Sequence, residues 1–147
     1  MQEFIRVMKA LSDPNRVKLL KMLQVRSLCV CEIQELLHIA QPTVSKHLKI
    51  LEKAGLVRSS KDGLWVNYAL TGGEKNPYAA TLLGNLRHWM ADDPEVLSIT
   101  GAACDVCRNA IRKKEREKAT ATPKMTRVVF RSETSRNSLP KRPKAVP

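Results

Sequence analysis

Gln41-Pro42-Thr43-Val44-Ser45-Lys46-His47-Leu48-Lys49-Ile50-Leu51-Glu52-Lys53-Ala54-Gly55 is the stretch on which the fold turns. Val44, Leu48 and Leu51 recur at steps of four and three, the spacing that lines one face of an α-helix, which predicts a helix from Gln41 or Pro42 to Lys53. Gly55 stands where a helix ends on a left-handed residue. In front, the segment after Ser27 sets Val30, Ile33, Leu36 and Leu37 at helical spacing, and His38-Ile39-Ala40 leaves room only for a tight link. Two helices joined so closely make a helix-turn-helix. Behind, Leu56 to Ser60 and Leu64 to Leu70 read as two strands joined around Lys61-Asp62-Gly63, with Asp-Gly as the hairpin signal. Leu64, Val66, Tyr68 and Leu70 alternate there with Trp65, Asn67 and Ala69.

Working outward, Phe4, Val7, Met8 and Leu11 predict a short amphipathic helix over residues 2–11. Ser12-Asp13-Pro14 stops it. Asp13 is suited to cap a second helix and Pro14 to begin it, with Val17, Leu19, Leu20, Met22 and Leu23 on its buried face. Helical periodicity resumes from Pro77 to Met90 through Leu82, Leu83, Leu86 and Trp89. Asp92-Asp93-Pro94 interrupts it, Val96, Leu97 and Ile99 suggest a further turn or two, and Cys104 to Lys118 is compatible with a helix. The fold class is therefore mainly α with a small β-hairpin, a winged helix-turn-helix. Residues 1–91 form that domain, 92–118 a helical extension carrying C-x-x-C, and 119–147 a tail rich in Pro, Ser, Thr and basic residues that is expected to be disordered.

A chain of 147 residues with 43% apolar content is about one domain with a modest core, too small for a large enzyme. Its net charge of +12 points to a polyanionic partner. Residues 108–147 hold 13 Lys and Arg against 3 Asp and Glu, so most of that charge lies in the tail. A solvated extension and a nonspecific phosphate contact are both compatible with it. The opening MQEFIRVMKALSDP lacks the continuous apolar core of a signal peptide, and no apolar run of about 18 residues spans a membrane. The expected setting is cytoplasmic, where four cysteines serve as thiols, metal ligands or redox sensors rather than structural disulfides. The C-x-x-C pair lacks the βαβ context of an oxidoreductase, which argues against an enzyme.

Gln41, Thr43, Ser45, Lys46 and His47 place small polar, amide and basic side chains near the start of the predicted reading helix, where they meet base edges and phosphates when that end enters a major groove. Lys46, Lys49 and Lys53 around it, with Arg58 and Lys61 on the wing, are candidate phosphate contacts.

The segments ALSDPNRVKLLKML (10–23), LCVCEI (28–33), QPTVSKHLKILEKAGLV (41–57) and KDGLWVNYAL (61–70) together resemble the ArsR/SmtB family of metal- and metalloid-responsive transcriptional repressors, over residues 1 to about 91. The resemblance implies a homodimer built largely by the first and last helices of the domain. It implies binding to double-stranded operator DNA, release when an inducer binds, and DNA reading by Gln41, Thr43, Ser45, Lys46 and His47.

Cys29 and Cys31 are the candidate sulfur site. Residues two apart on an ideal helix lie about 200° apart around its axis, so both sulfurs reach one centre only if the helix start is distorted. Leu-Cys-Val-Cys-Glu matches the family's sulfur site. In the arsenic- and antimony-sensing members that pattern is Cys-x-Cys-x-x-Cys, and here Gln34 holds the third position, one sulfur short. Cys104 and Cys107 are candidates to complete it, in the same chain or across the dimer. Three sulfurs suit As(III) or Sb(III), and four better suit Cd(II), Pb(II) or Zn(II). A structural or redox role for that pair is an equal alternative. The cadmium- and lead-sensing members add cysteines from an N-terminal arm that is not seen ahead of the first helix here. The zinc-sensing members use paired Asp/His and His/Glu on the last helix, where this chain has His88 with Ala91 and Asp92 at the relevant steps. The expectation is a repressor with no obligatory cofactor, induced by As(III) or Sb(III). The alternatives are a Cd-, Pb- or Zn-responsive repressor and a thiol-redox switch.

Overall fold

The first corner of the chain follows from Asp13 and Pro14. In the computed structural model, which describes residues 1–121, α1 (Gln2–Leu11) and α2 (Pro14–Val25) meet there. The Asp13 carboxylate accepts the Arg16 backbone N–H at 3.1 Å. The Arg16 guanidinium turns back to donate to the Ala10 and Lys9 carbonyls at the end of α1, the Lys9 carbonyl also accepting the Ser12 N–H. The expected disordered tail lies outside the described residues from 122 onward, and residues 119–121 belong to the last helix.

The helix-turn-helix is α3 (Val30–Leu37) and α4 (Gln41–Lys53), as predicted. Between them His38 takes the left-handed conformation, φ 54°, and its N–H bonds to the Gln34 carbonyl at 2.9 Å. After α4, the Gly55 N–H reaches the Glu52 carbonyl and the Leu56 N–H reaches that of Leu51, each at 3.0 Å. That paired closure needs a residue of positive φ, and Gly55 supplies it at 75° without the strain of a Cβ.

Three strands make the sheet where two were expected. β1 (Leu28–Cys29), β2 (Val57–Asp62) and β3 (Trp65–Leu70) lie in the order β1-β3-β2, all antiparallel. β1 is two residues long, too short for periodicity to reveal. β2 continues through Lys61 and Asp62, and Asp62 pairs with Trp65, so Gly63 and Leu64 form the turn. Leu64 is therefore not an inward strand residue but a wing-tip side chain, 94% exposed. The expected alternation along β3 is also absent, because Asn67, Tyr68, Ala69 and Leu70 are all half-buried.

Beyond the wing, Asn76 caps α5 (Pro77–Leu86) through the Tyr78 and Ala79 N–H groups, while its own amide reaches back to the Ala54 carbonyl. The helix stops at Leu86 rather than Met90. His88 and Trp89 both turn onto the Asn85 carbonyl and Met90 has φ 58°. α6 (Pro94–Asp105) runs twelve residues rather than a turn or two, started by an Asp93 cap and Pro94. The helix expected from Cys104 to Lys118 is two: Val106 is extended, ending α6, and α7 (Arg108–Ala121) begins afresh.

Val7, Leu20, Leu28, Ile33, Leu48 and Leu56 carry the core shared by α1, α2, β1, α3, α4 and the wing. α6 packs on α2 and α7 on α3, with Ile111 buried and Lys114 paired to Glu35 at 2.8 Å. Among the described residues no helix is long and apolar enough to cross a membrane.

Candidate nucleic-acid interface and thiol site

The stripe that buries α4 also sorts its polar residues. Val44, His47, Leu48 and Leu51 stand at i, i+3, i+4 and i+7 and are buried, which leaves Gln41, Thr43, Ser45, Lys46 and Lys49 exposed together on the opposite side. Pro42 lies in the first turn, where a missing N–H costs nothing. His47 departs from expectation. It is only 9% exposed and its Nδ1 has no hydrogen-bond partner, because its position belongs to the apolar face rather than the polar one. On the wing, Arg58 and Lys61 are exposed on β2. The Ser59 hydroxyl donates to the Glu52 carboxylate at 2.8 Å, tying that strand to the last turn of α4. The outcome is an exposed face of amide, hydroxyl and ammonium groups on a rigid helix, flanked by a cationic hairpin.

Cys29 and Cys31 do meet, by a route the helical geometry alone does not offer. Cys29 is the N-cap of α3 with extended backbone, φ −88° and ψ 167°, so the 200° separation of helical residues does not apply to it. Its side chain accepts the Glu32 backbone N–H, while the Glu32 carboxylate accepts the Cys29 N–H at 2.8 Å, and the Cys31 thiol lies near enough to act on it electrostatically. This is a capping box with cysteine in the place of serine. Burial, reinforced by the neighbouring Cys31 thiol, pushes the Cys29 thiol up to about 12. The buried sulfur is a protonated thiol at neutral pH.

Two residues of this site escape a search for ligands. Glu32 is 2% exposed, and Arg26, at the end of α2, donates to it at 3.2 Å. The same guanidinium donates to the carbonyls of Ala103, at 2.9 Å, and Val106. The signal for Glu32 was present as Cys29-x-x-Glu32; nothing in the local sequence marks Arg26. Lys21 was also missed. It is buried in α2 with its ammonium on the Leu86 carbonyl at 2.6 Å, and burial lowers its pKa.

Cys104 lies in the last turn of α6 and Cys107 just beyond its end, both exposed. Among the described residues no group of three or more His, Cys, Asp or Glu side chains converges as a metal site, so one chain does not gather its four sulfurs. Gln34 sits on α3, one turn beyond Cys31. His88 and Asp92 are exposed in the irregular stretch after α5.

On the side of the domain formed by α1 and α5, Phe4, Met8, Tyr78 and Trp89 leave an apolar patch in solvent, each 40–49% exposed. The Phe4 and Tyr78 rings meet edge to face at 5.5 Å. A contiguous patch of this kind marks an interaction surface.

Residues 13–59 match the family described as bacterial regulatory protein, arsR family. An uncharacterized HTH-type transcriptional regulator of Methanocaldococcus jannaschii is 48% identical over 63 residues, 42% of this chain and 71% of that protein. The arsenical resistance operon repressor of Escherichia coli K12 is 37% identical over 68 residues, 46% of this chain and 58% of the repressor. Several other curated relatives are likewise spanned over only about half of their length. Among solved structures, the homodimeric winged helix-turn-helix DNA-binding domain of a possible ArsR-family regulator from Mycobacterium bovis is 26% identical, with a TM-score of 0.53 over 63% of this chain and 81% of that one.

Proposed function

The chain belongs to the arsR family of bacterial regulatory proteins, and from that premise we propose that it is a homodimeric transcriptional repressor released from operator DNA when trivalent arsenic or antimony binds Cys29 and Cys31. The observation that carries this reading is the position of the thiol pair. Cys29 is at once the N-cap of α3 and a strand residue paired with Asn67 of β3, which pairs in turn with Ser60 of β2. Through the single left-handed turn at His38, α3 holds α4; through the ladder, Cys29 holds the wing. A ligand that requires both sulfurs in a new arrangement disturbs the cap and the ladder together. Its differential affinity for the disturbed state sets how far DNA binding falls.

The donor set suits a thiophilic ion, since two thiols stand side by side at the start of α3 and already act on one another. Such an ion supplies strong bonds to sulfur in place of the weak thiol bond at the cap. The similarity to the arsenical resistance operon repressor favours arsenic. A cadmium-, lead- or zinc-responsive repressor is the second reading, and a relative named for cadmium resistance, matched over a similar length, favours cadmium within it. For DNA, Gln41, Thr43 and Ser45 read base edges while Lys46, Lys49, Arg58 and Lys61 bind phosphates. His47 supports the helix from its buried side.

Release of operator DNA from reduced protein by arsenite is the deciding experiment. Release tests the proposed inducer directly, and a chain that responds only to oxidants is a redox switch instead. Replacing Lys46 and Lys49 by alanine should weaken binding to all sequences alike. It should also flatten the plot of log affinity against log salt by about 0.9 for each phosphate that is no longer neutralised. An unchanged slope places these lysines off the DNA. Phe4→Glu, which puts a charge into the apolar patch, should convert the dimer to monomer in sedimentation and lower operator affinity at least about tenfold through loss of the second half-site. A dimer that persists assigns the interface elsewhere.

A further inference from the structure

We propose that Cys104 and Cys107 form a second thiol site, separate from Cys29 and Cys31, that binds a trivalent arsenical through two sulfurs and is coupled to the first site by Arg26. The proposal rests on the reading of Cys29 and Cys31 as a thiol site and adds to it. The two pairs differ in every local respect. Cys29 is buried in a strand and helix cap, whereas Cys104 and Cys107 flank a helix break in solvent, three residues apart across an extended Val106. Among the described residues the four do not join in one cluster.

Arg26 connects them. Its guanidinium bonds the Glu32 carboxylate, whose other oxygen holds the Cys29 N–H. It also bonds the carbonyls of Ala103 and Val106, the residues immediately before each cysteine of the second pair. The Ala103 carbonyl belongs to the last turn of α6, one of the acceptors a helix leaves unpaired, and a cation there is favoured by the helix dipole. Drawing Cys104 and Cys107 onto one arsenic moves these carbonyls, and Arg26 then changes its grip on Glu32 and so on the cap of Cys29. The same link runs in reverse, because coupling between two binding sites is reciprocal.

Phenylarsine oxide is a suitable probe. Its As=O bond and two S–H bonds are replaced by two As–S bonds and one water, arsenic remaining trivalent, so each equivalent reports one thiol pair. The reduced full-length chain is titrated against a competing dithiol and bound arsenic is counted. About two equivalents are expected per wild-type chain, and about one for Cys29→Ser/Cys31→Ser and for Cys104→Ser/Cys107→Ser. The stepwise wild-type affinities should depart from those of the two single-site variants by at least about fivefold. In Arg26→Lys, which keeps the charge but lacks the fork that reaches Glu32, Ala103 and Val106 together, that departure should vanish. Glu32→Gln should do the same and guards against a folding defect in the first variant. A Cys29→Ser/Cys31→Ser chain that binds no arsenical, or a wild-type chain that binds one equivalent lost in either double variant, overturns the second site. Independent affinities in wild type overturn the coupling. If instead Cys104→Ser/Cys107→Ser binds nothing while the other double variant binds one equivalent, the second site stands and the role assigned to Cys29 and Cys31 fails.

Discussion

Replacing Cys29 and Cys31 together by serine is expected to leave operator affinity within about threefold of wild type while raising the arsenite needed for release at least about 100-fold, which is near the upper end of ordinary coupling between sites. The fold should survive because serine at 29 is a better N-cap than cysteine and sits three residues before Glu32, completing the usual capping box with the N–H that the Cys29 sulfur now binds. What is lost is the pair of sulfurs. Operator binding in a gel or by anisotropy, with arsenite titrated into reduced protein, gives both quantities in one experiment. Release at the wild-type arsenite concentration would remove these two residues from sensing. A large loss of DNA binding without arsenite would instead show that the thiols serve the structure of the cap.

The second large effect separates arsenic from the divalent metals by pH. Burial and the neighbouring Cys31 thiol hold the Cys29 thiol far above its ordinary value, at about 12, so it is protonated throughout the neutral range. The sign follows from linkage. The folded chain holds this proton more tightly than the unfolded one, so the associated stability is full below the ordinary thiol range, near pH 9, and is lost as pH rises toward 12. A divalent ion must release thiol protons to bind, and its affinity should rise about tenfold per pH unit for each one, up to about 100-fold between pH 6 and 7 for two thiols. Arsenite near neutrality is uncharged As(OH)3. Each thiol proton leaves with one hydroxide as water, and no net proton is released. Its affinity should change less than about twofold over the same interval. Binding of cadmium and arsenite measured at pH 6, 7 and 8 in a non-coordinating buffer checks both slopes. A flat cadmium profile would mean that no proton is displaced from Cys29, against its burial, and a steep arsenite profile would mean that binding draws on a group other than neutral thiols.

The reading helix was legible because its information is local. Val44, Leu48, Leu51 and Gly55 specify where the helix lies and where it stops, since periodicity and a positive-φ terminus depend on residues within a few turns. The family resemblance of four separate segments was legible for the same reason. His47 was not, although its register with Val44 and Leu51 was present: a polar residue name outweighed its place on the buried stripe.

The amino-acid order by itself determined the winged helix-turn-helix, the caps at Asp13 and Gly55, and the candidate thiols. Tertiary structure alone decided how those thiols are held. Cys29 becomes a strand residue only because Tyr68 and Asn67, nearly forty residues later, present an open strand edge to it. Arg26 acquires its role only because α6 folds back onto α2 and brings the Ala103 and Val106 carbonyls to it across more than seventy residues. Helix caps and periodicity are set by neighbours along the chain, whereas strand edges and buried charge partners are set by what the fold returns to the same place.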